Sequence, residues 1–286
     1  MEPICPNAFT VDVEDYFQVT AFEKKITPEQ WNDWPLRAVA NTETLLDLLA
    51  ARGVKGTFFM LGWIAERAPD LVRRIAAEGH EIAAHGYDHR LVYRLSEDEF
   101  RSDVRRTRTL LQELSGREVS GYRAPSWSIT DRTPWALRVL VEEGFRYDSS
   151  VFPIRHDLHG SPDAPREIHR RETEAGPILE FPPAVVRVSG KNIPVGGGGF
   201  LRLYPYWLTR RMLRSIKTQT GPFVVYVHPW EIDPDQPRIK GASLKSRFRH
   251  YVNLRTTRWK IERLLTDFDF APMKDVLSRA ETVLAY

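Results

Sequence analysis

The sequence has a single cysteine, Cys5, among its 286 residues, which excludes an internal disulfide and fits a reducing compartment. Its first residues do not join a basic segment to an apolar one, so we expect no secretory signal. No window approaches the run of about 18 uncharged apolar residues that a membrane-spanning helix needs. These absences predict a cytoplasmic protein and leave a membrane-associated partner open.

The chain also lacks a strong charge of either sign. Its 41 basic and 38 acidic residues leave a net charge of +3, too small to predict nucleic-acid binding. The basic residues are nevertheless concentrated between Arg238 and Arg263, where Glu262 is the one acid. Two interpretations fit this stretch, a solvated helix face or a patch for an anionic polymer or membrane surface.

Short apolar runs alternate with helical patterns over the first two-thirds of the chain. Residues 8–13 indicate a buried strand, and residues 36–51 have apolar side chains at helical spacing before Gly53. The same reasoning predicts strands at 54–61, 81–84, 121–123, 147–151 and 223–227, and helices at 69–78, 96–114 and 134–143. Strands that alternate with helices favour a parallel α/β fold.

Polar side chains follow the ends of successive predicted strands. In parallel barrels such strand ends carry the functional residues. The residues concerned are Asp12, Glu14, Asp15, His85, His89, Arg123, Asp148 and His228. We therefore expect them at one rim of the fold. Residues 196–199 (GGGG) indicate either a flexible turn or a loop that passes close to a ligand.

The segment HGYDH contains His85 and His89, and two histidines four residues apart can converge on one metal ion. The alternative is one structural histidine and one exposed histidine. A catalytic metal usually takes three protein ligands and keeps a position for water. In a strand, Asp12 and Glu14 point the same way, so one carboxylate could complete the site while another takes a proton from the bound water. Alternatively, DVED caps a helix.

Two further segments carry candidate groups. In GYRAPSW, Arg123 is a fixed charge suited to hold a carboxylate, Pro125 makes the turn rigid, and Ser126 has a free backbone N–H. Trp127 is either a stacking platform for a sugar ring or a core aromatic. His228, which ends an apolar strand, is either a general acid or a core histidine.

At these residues the sequence resembles the polysaccharide deacetylase family, also called the NodB-homology or carbohydrate esterase family 4 group. TVDVED at 10–15 looks like the first family motif, HGYDH like the H-(S/T)-x-x-H metal motif, RAP at 123–125 like R-x-P, and Val227-His228 like L-x-H. The resemblance runs from Asp12 to about Pro229. DVEDYFQV, GGGGFLRLYPY and HPWEIDPDQPR are further similar to a bacterial subgroup that accompanies exopolysaccharide and exosortase gene clusters.

The resemblance implies a distorted (β/α)7 barrel in residues 1–235 and a C-terminal helical extension, packed on the barrel, in residues 236–286. It implies a divalent metal, commonly zinc, with cobalt or nickel as alternatives. For the subgroup it implies association with a membrane-bound exopolysaccharide assembly complex.

The resemblance also implies roles for individual residues. Asp12 would be the base, oriented by Arg123, and His228 the acid. His85 and His89 would bind the metal, and the backbone N–H of Ser126 would help to bind the oxyanion. We further expect Asp148, in YDSS, to orient His228.

The sequence departs from the family pattern at two points. The adjacent Asp-Asp of the family is replaced by Asp12-Val-Glu14-Asp15, so the third metal ligand is either Glu14 or Asp15. RAPSW also lacks the usual aromatic directly after proline, and Trp127 would take its place as the substrate platform.

The sequence thus predicts a metal-dependent hydrolase that removes acetyl groups from an amino-sugar polysaccharide. The alternatives are a hydrolase for a small amide, as in allantoinase-like relatives of the fold, and a non-catalytic carbohydrate-binding protein. Aromatic residues that we expect to be exposed favour a polymer, namely Trp127, Tyr204, Tyr206, Trp207 and Trp230.

Overall fold

The computed structural model describes residues 5–155 and 160–284. The expected barrel domain (1–235) and extension (236–286) therefore include a few residues outside this part, at 1–4, 156–159 and 285–286. Among the helices described, none combines the length and the apolar character that crossing a membrane requires.

The described residues form a nine-stranded sheet and a separate two-stranded hairpin. The strands are β1 (Asn7–Val13), β2 (Thr57–Met60), β3 (Glu81–Ala84), β4 (Gly121–Tyr122), β5 (Tyr147–Asp148), β6 (His169–Thr173), β7 (Gly176–Glu180), β8 (Val185–Val188), β9 (Lys191–Pro194), β10 (Val224–Val227) and β11 (Phe270–Ala271). The order in the large sheet is β10-β1-β2-β3-β4-β5-β7-β6, and β11 also pairs with β1. Every pair in it is parallel except β6 with β7, which confirms the parallel α/β class.

Helices connect most of the parallel strands. They are α1 (Ala38–Ala50), α2 (Gly62–Arg67), α3 (Pro69–Ala77), α4 (Glu97–Ser115), α5 (Trp135–Glu142), α6 (Gly198–Leu203), α7 (Tyr206–Thr220), α8 (Leu244–Tyr251), α9 (Leu254–Asp267) and α10 (Met273–Leu284). The predicted start of α4 is confirmed, because Ser96 and Glu99 form a reciprocal capping box. Strands β1, β2, β3 and β10 are buried along their whole length, as central parallel strands should be.

The glycine run at 196–199 lies against β10. A Cβ on Gly197 would be 2.0 Å from the carbonyl oxygen of Tyr226, with which it forms an isolated parallel bridge. The interpretation of a flexible turn is therefore wrong for Gly197, whose missing side chain lets two backbones meet, while a loop close to a ligand stays a prediction. Since this contact is a single bridge, closure of the sheet into a barrel stays a prediction.

The last helices pack back onto the strands. β11 pairs with the start of β1. Lys260 on α9 is 5% exposed, so its side chain is buried. Its ammonium donates to the carbonyl oxygens of Leu201 (2.9 Å), Arg202 (2.8 Å) and Tyr204 (2.7 Å). A single buried cation therefore satisfies the carbonyls at the end of α6.

This arrangement predicts that Lys260→Met destabilises the fold. The substitution keeps the length of the side chain but leaves three carbonyls without their donor, at a cost of about 2–4 kcal/mol. Urea unfolding measures the change, and Lys191→Met on β9, where the lysine is exposed, is the matched control. Equal stabilities of the two variants would contradict the proposed role of Lys260.

Candidate active site

The register of the parallel sheet brings the predicted site residues to one edge. Val11 pairs with Val227, Met60 with Ala84, and Ala84 with Tyr122. The residues that follow these strands, which include His85, Arg123 and His228, therefore emerge at the carboxyl ends of neighbouring strands.

Glu14, His85 and His89 form a potential metal site. One ligand atom from each of Glu14, His85 and His89 lies within 4.8 Å of the others. His89 Nε2 is 2.7 Å from Oε2 of Glu14, whose side chain is buried. His85 Nδ1 lies 2.8 Å from the carbonyl oxygen of Arg123, which leaves Nε2 for a metal. Two imidazoles and one buried carboxylate that converge in this way fit a divalent cation.

The protonation states agree with this assignment. Burial alone would raise the pKa of Glu14, but His89 and His228 lower it to about 2, so the carboxylate is ionised. Burial lowers the pKa of His85 to about 4, so its imidazole is neutral. An ionised carboxylate and a neutral imidazole are the forms that bind metal.

The loop between the two histidines has an unusual backbone. Gly86 (φ 73°) and His89 (φ 58°) both adopt the left-handed region. The carboxylate of Asp103 on α4 accepts from the backbone N–H of Tyr87, at 3.2 Å from each oxygen. Asp103 was absent from the sequence prediction because it looks like any other acid on the charged face of a long helix.

Asp15, the other candidate third ligand, has a different role. Its carboxylate accepts from the backbone N–H of Tyr16 (2.8 Å), Arg37 (2.6 Å) and Ala38 (2.8 Å). Burial raises its pKa to about 6. Asp15 therefore holds the N-terminus of α1, and the geometry favours Glu14 as the ligand. The capping interpretation of DVED was correct for this one residue.

Arg123 holds Asp12 as expected. Its Nη1 donates to Asp12 Oδ1 (2.6 Å) and to Thr10 Oγ1 (2.8 Å), and its other nitrogens bind Ser149. The guanidinium lies over the ring of Phe59, 4.1 Å from its centroid, and is fully buried. One oxygen of Asp12 is thus occupied, while Oδ2 faces the Nε2 atom of His228 at 3.8 Å.

His228 is oriented by a neighbour that the sequence analysis missed. Its Nδ1 lies 3.1 Å from Glu231 Oε2, and Glu231 Oε1 accepts from Arg202 at 2.8 Å. The role expected for Asp148 is therefore wrong: its carboxylate accepts from the backbone N–H and hydroxyl of Ser150. The spacing H-P-W-E, which puts an acid three residues after the histidine, was the available signal.

Trp230, between these two residues, also belongs to the site. Its ring stacks on that of His228, with centroids 5.2 Å apart, and its Nε1 donates to Glu14 Oε1 at 3.3 Å. It is 5% exposed, so it is a wall of the site and not an exposed platform.

The segment after Arg123 does not present Trp127 as the exposed platform that we expected. Trp127 is 8% exposed and packs against Phe152 and Tyr226, with centroid distances of 5.4 and 4.9 Å. It is a core aromatic, and its proposed role as a sugar platform is wrong. Pro125 is buried, and Ser126, half-buried with φ 51°, bonds Thr20 Oγ1 through its hydroxyl.

Most of the aromatic residues that were expected to be exposed are buried or half-buried, so they do not favour a polymeric substrate. Tyr206 is buried, as Trp127 and Trp230 are, and Tyr204 is half-buried, while Trp207 on α7 is 67% exposed.

Two family models match adjacent segments of the chain. The polysaccharide deacetylase model matches residues 25–147, which include His85, His89 and Arg123. The chain carries a polysaccharide deacetylase domain. A second model, a domain of unknown function named DUF3473, matches residues 149–278, which include His228 and Glu231.

Curated proteins with similar sequences include peptidoglycan deacetylases. Over 104 residues the chain is 40% identical to a peptidoglycan-N-acetylglucosamine deacetylase from Bacillus cereus, a match that covers 36% of this chain and 37% of that protein. It is 29% identical over 107 residues to a peptidoglycan deacetylase from Helicobacter pylori, covering 37% of this chain and 36% of that protein. The chain thus spans less than half the length of these relatives.

Solved structures share the fold. A provisionally assigned polysaccharide deacetylase from Mycobacterium smegmatis superposes with a TM-score of 0.61 and 23% identity, covering 99% of this chain and 93% of that one. The Bc1960 peptidoglycan N-acetylglucosamine deacetylase gives a TM-score of 0.53 and 18% identity, covering 96% and 89%. At these identities the likeness concerns the fold.

The contacts of Glu14 and Asp15 predict opposite effects for two neighbouring substitutions. Glu14→Ala should abolish stoichiometric zinc binding, because it removes one of three ligands. Asp15→Ala should keep zinc binding but lower the free energy of unfolding by about 2–4 kcal/mol, since three backbone N–H groups lose their acceptor. Metal analysis after dialysis and urea unfolding measure the two properties. Loss of zinc from Asp15→Ala, with zinc retained by Glu14→Ala, would make Asp15 the metal ligand in place of Glu14.

Proposed function

We propose that the protein is a divalent metal-dependent hydrolase that removes N-acetyl groups from an amino-sugar polysaccharide. The observation that carries the proposal is the position of the Asp12 carboxylate. Arg123 holds one of its oxygens, and its other oxygen faces His228 beside the group of Glu14, His85 and His89. A base, an acid and a metal site thus share one buried cluster.

Each residue of this cluster is suited to a different role in amide hydrolysis. A divalent cation held by Glu14, His85 and His89 would polarise the acetyl carbonyl and lower the pKa of water. Asp12, fixed by Arg123, accepts the proton of the attacking water through Oδ2. The backbone N–H of Ser126 is our candidate to bind the developing oxyanion.

His228 is suited to protonate the departing amine. Burial alone would lower its pKa, but the carboxylates of Glu231 and Glu14 raise it to about 9, so the imidazole carries a proton at neutral pH. Glu231 accepts from Nδ1, which leaves Nε2–H to face the cluster. That is the arrangement a general acid needs.

The curated relatives support an N-acetylglucosamine polymer as the substrate. The Bacillus cereus relative is a peptidoglycan-N-acetylglucosamine deacetylase, and three Listeria monocytogenes relatives carry the same activity in their names. Zinc suits the ligand set, with cobalt or nickel as alternatives. The subgroup resemblance of DVEDYFQV and HPWEIDPDQPR favours a setting in exopolysaccharide biosynthesis, in contact with a membrane-bound assembly complex.

The mechanism predicts a large and selective effect of Asp12→Asn. The amide cannot accept a proton, so acetate release from N-acetylglucosamine oligomers should fall by about 10²–10⁴-fold while zinc is still bound. Asp88→Asn, a change of the same type within HGYDH, is the matched control. Asp88 pairs with Arg90 at the surface loop and should leave the rate unchanged.

Two outcomes would contradict the proposal. Acetate release that survives in Asp12→Asn at the rate of the Asp88 control would remove the base from the mechanism. Absence of acetate release by the zinc-loaded wild type, together with hydrolysis of allantoin, would favour the small-amide alternative.

A further inference from the structure

Helix α8 presents two large apolar side chains to solvent. Leu244 is 81% exposed and Phe248 is 60% exposed. They are four residues apart and therefore neighbours on one face of the helix. The opposite side of α8 carries His250, which is buried against the body of the protein. The apolar pair thus points away from the fold, where it loses the benefit of burial.

Cations surround this apolar pair. Lys245, Arg247 and Arg249 are exposed on the same helix, and none of them lies within 4.0 Å of a carboxylate in the part of the chain that the structure describes. Residues 238–251 contain five lysines and arginines and no acid. The arginines of α4 differ, since residues such as Arg105 are paired with glutamates.

The inner side of α8 is held firmly. The guanidinium of Arg202 donates to the carbonyl oxygens of Arg249 (2.9 Å), His250 (2.7 Å) and Val252 (3.0 Å). The ring of His250 stacks on Trp230, with centroids 4.1 Å apart and planes inclined by 16°. The helix is therefore anchored on the side facing the protein, and its outer surface is presented in one orientation.

We propose that this outer surface of α8 binds the surface of an anionic lipid bilayer. The α8 surface is formed by Leu244, Lys245, Arg247, Phe248 and Arg249. A helix with an apolar ridge between cations is suited to lie in a bilayer interface, with the ridge in the acyl boundary and the cations at the headgroups. A soluble polyanion would satisfy the cations but would leave Leu244 and Phe248 in water. This observation favours the bilayer.

The inner side of α8 is connected to the segment next to the candidate active site. Phe22 packs on His250, with centroids 4.8 Å apart, and the nearby hydroxyl of Thr20 bonds that of Ser126 at 2.7 Å. The bilayer proposal itself is independent of the proposed chemistry, since it rests on residues outside the cluster.

Sedimentation with vesicles tests the proposal without using activity. The purified chain should co-sediment with vesicles of three parts phosphatidylcholine to one part phosphatidylglycerol, and much less with phosphatidylcholine alone. Raising the salt concentration should weaken the binding, because the Debye length falls from about 10 Å at 0.1 M to about 3 Å at 1 M. The double substitution Leu244→Ser/Phe248→Ser should weaken it by roughly tenfold or more.

Matched variants separate the α8 surface from a general effect of charge. Lys245→Glu/Arg247→Glu should abolish binding, whereas Arg211→Glu/Arg214→Glu, an equal charge change at exposed positions of α7, should retain most of it. Val188→Ser on β8 is the control for an exposed apolar side chain. Thermal unfolding checks that each variant is folded.

Three results would overturn the proposal. They are no co-sedimentation of the wild type with the anionic vesicles, equal loss of binding in the α7 and α8 charge variants, and unchanged binding by Leu244→Ser/Phe248→Ser. The last result would mean that charge alone is recognised, as a soluble polyanion would recognise it.

Discussion

The buried ion pair between Arg123 and Asp12 is the interaction on which the candidate site depends. Arg123 follows β4, yet its guanidinium reaches β1 at Thr10 and Asp12 and binds Ser149 after β5. Removing one partner would leave an uncompensated buried charge, at a cost of about 3–5 kcal/mol. The pair therefore connects strands that are distant in the sequence, and it also holds the proposed base in position.

A second buried pair extends this constraint into the C-terminal half of the chain. Arg202 binds Glu231, which orients His228, and the same guanidinium holds the end of α8. The residues matched by the polysaccharide deacetylase model thus supply His85, His89 and Arg123, whereas the second family model contains the acid and its support. The two matched segments complete one cluster, and the domain boundary expected at residue 235 stays a prediction.

Much of this could be predicted from the sequence, for physical reasons. Buried parallel strands are apolar along their whole length, so β1 and β10 were evident, and polar residues directly after them indicated the rim. Strand β6, HRRET, was not evident because its alternate residues are exposed and polar. Trp127 was misjudged because sequence does not show which aromatic side chains find a neighbour such as Tyr226. Glu231 and Asp103 were missed because an acid that supports another residue has no motif of its own.

The most direct test of the account is zinc-edge anomalous diffraction from crystals of the wild-type protein grown with zinc. The account predicts one strong peak at about 2.0–2.2 Å from a carboxylate oxygen of Glu14 and from imidazole nitrogens of His85 and His89, with Asp15 still bound to the start of α1. A peak coordinated by Asp15 in place of Glu14, or no peak within this cluster, would contradict it.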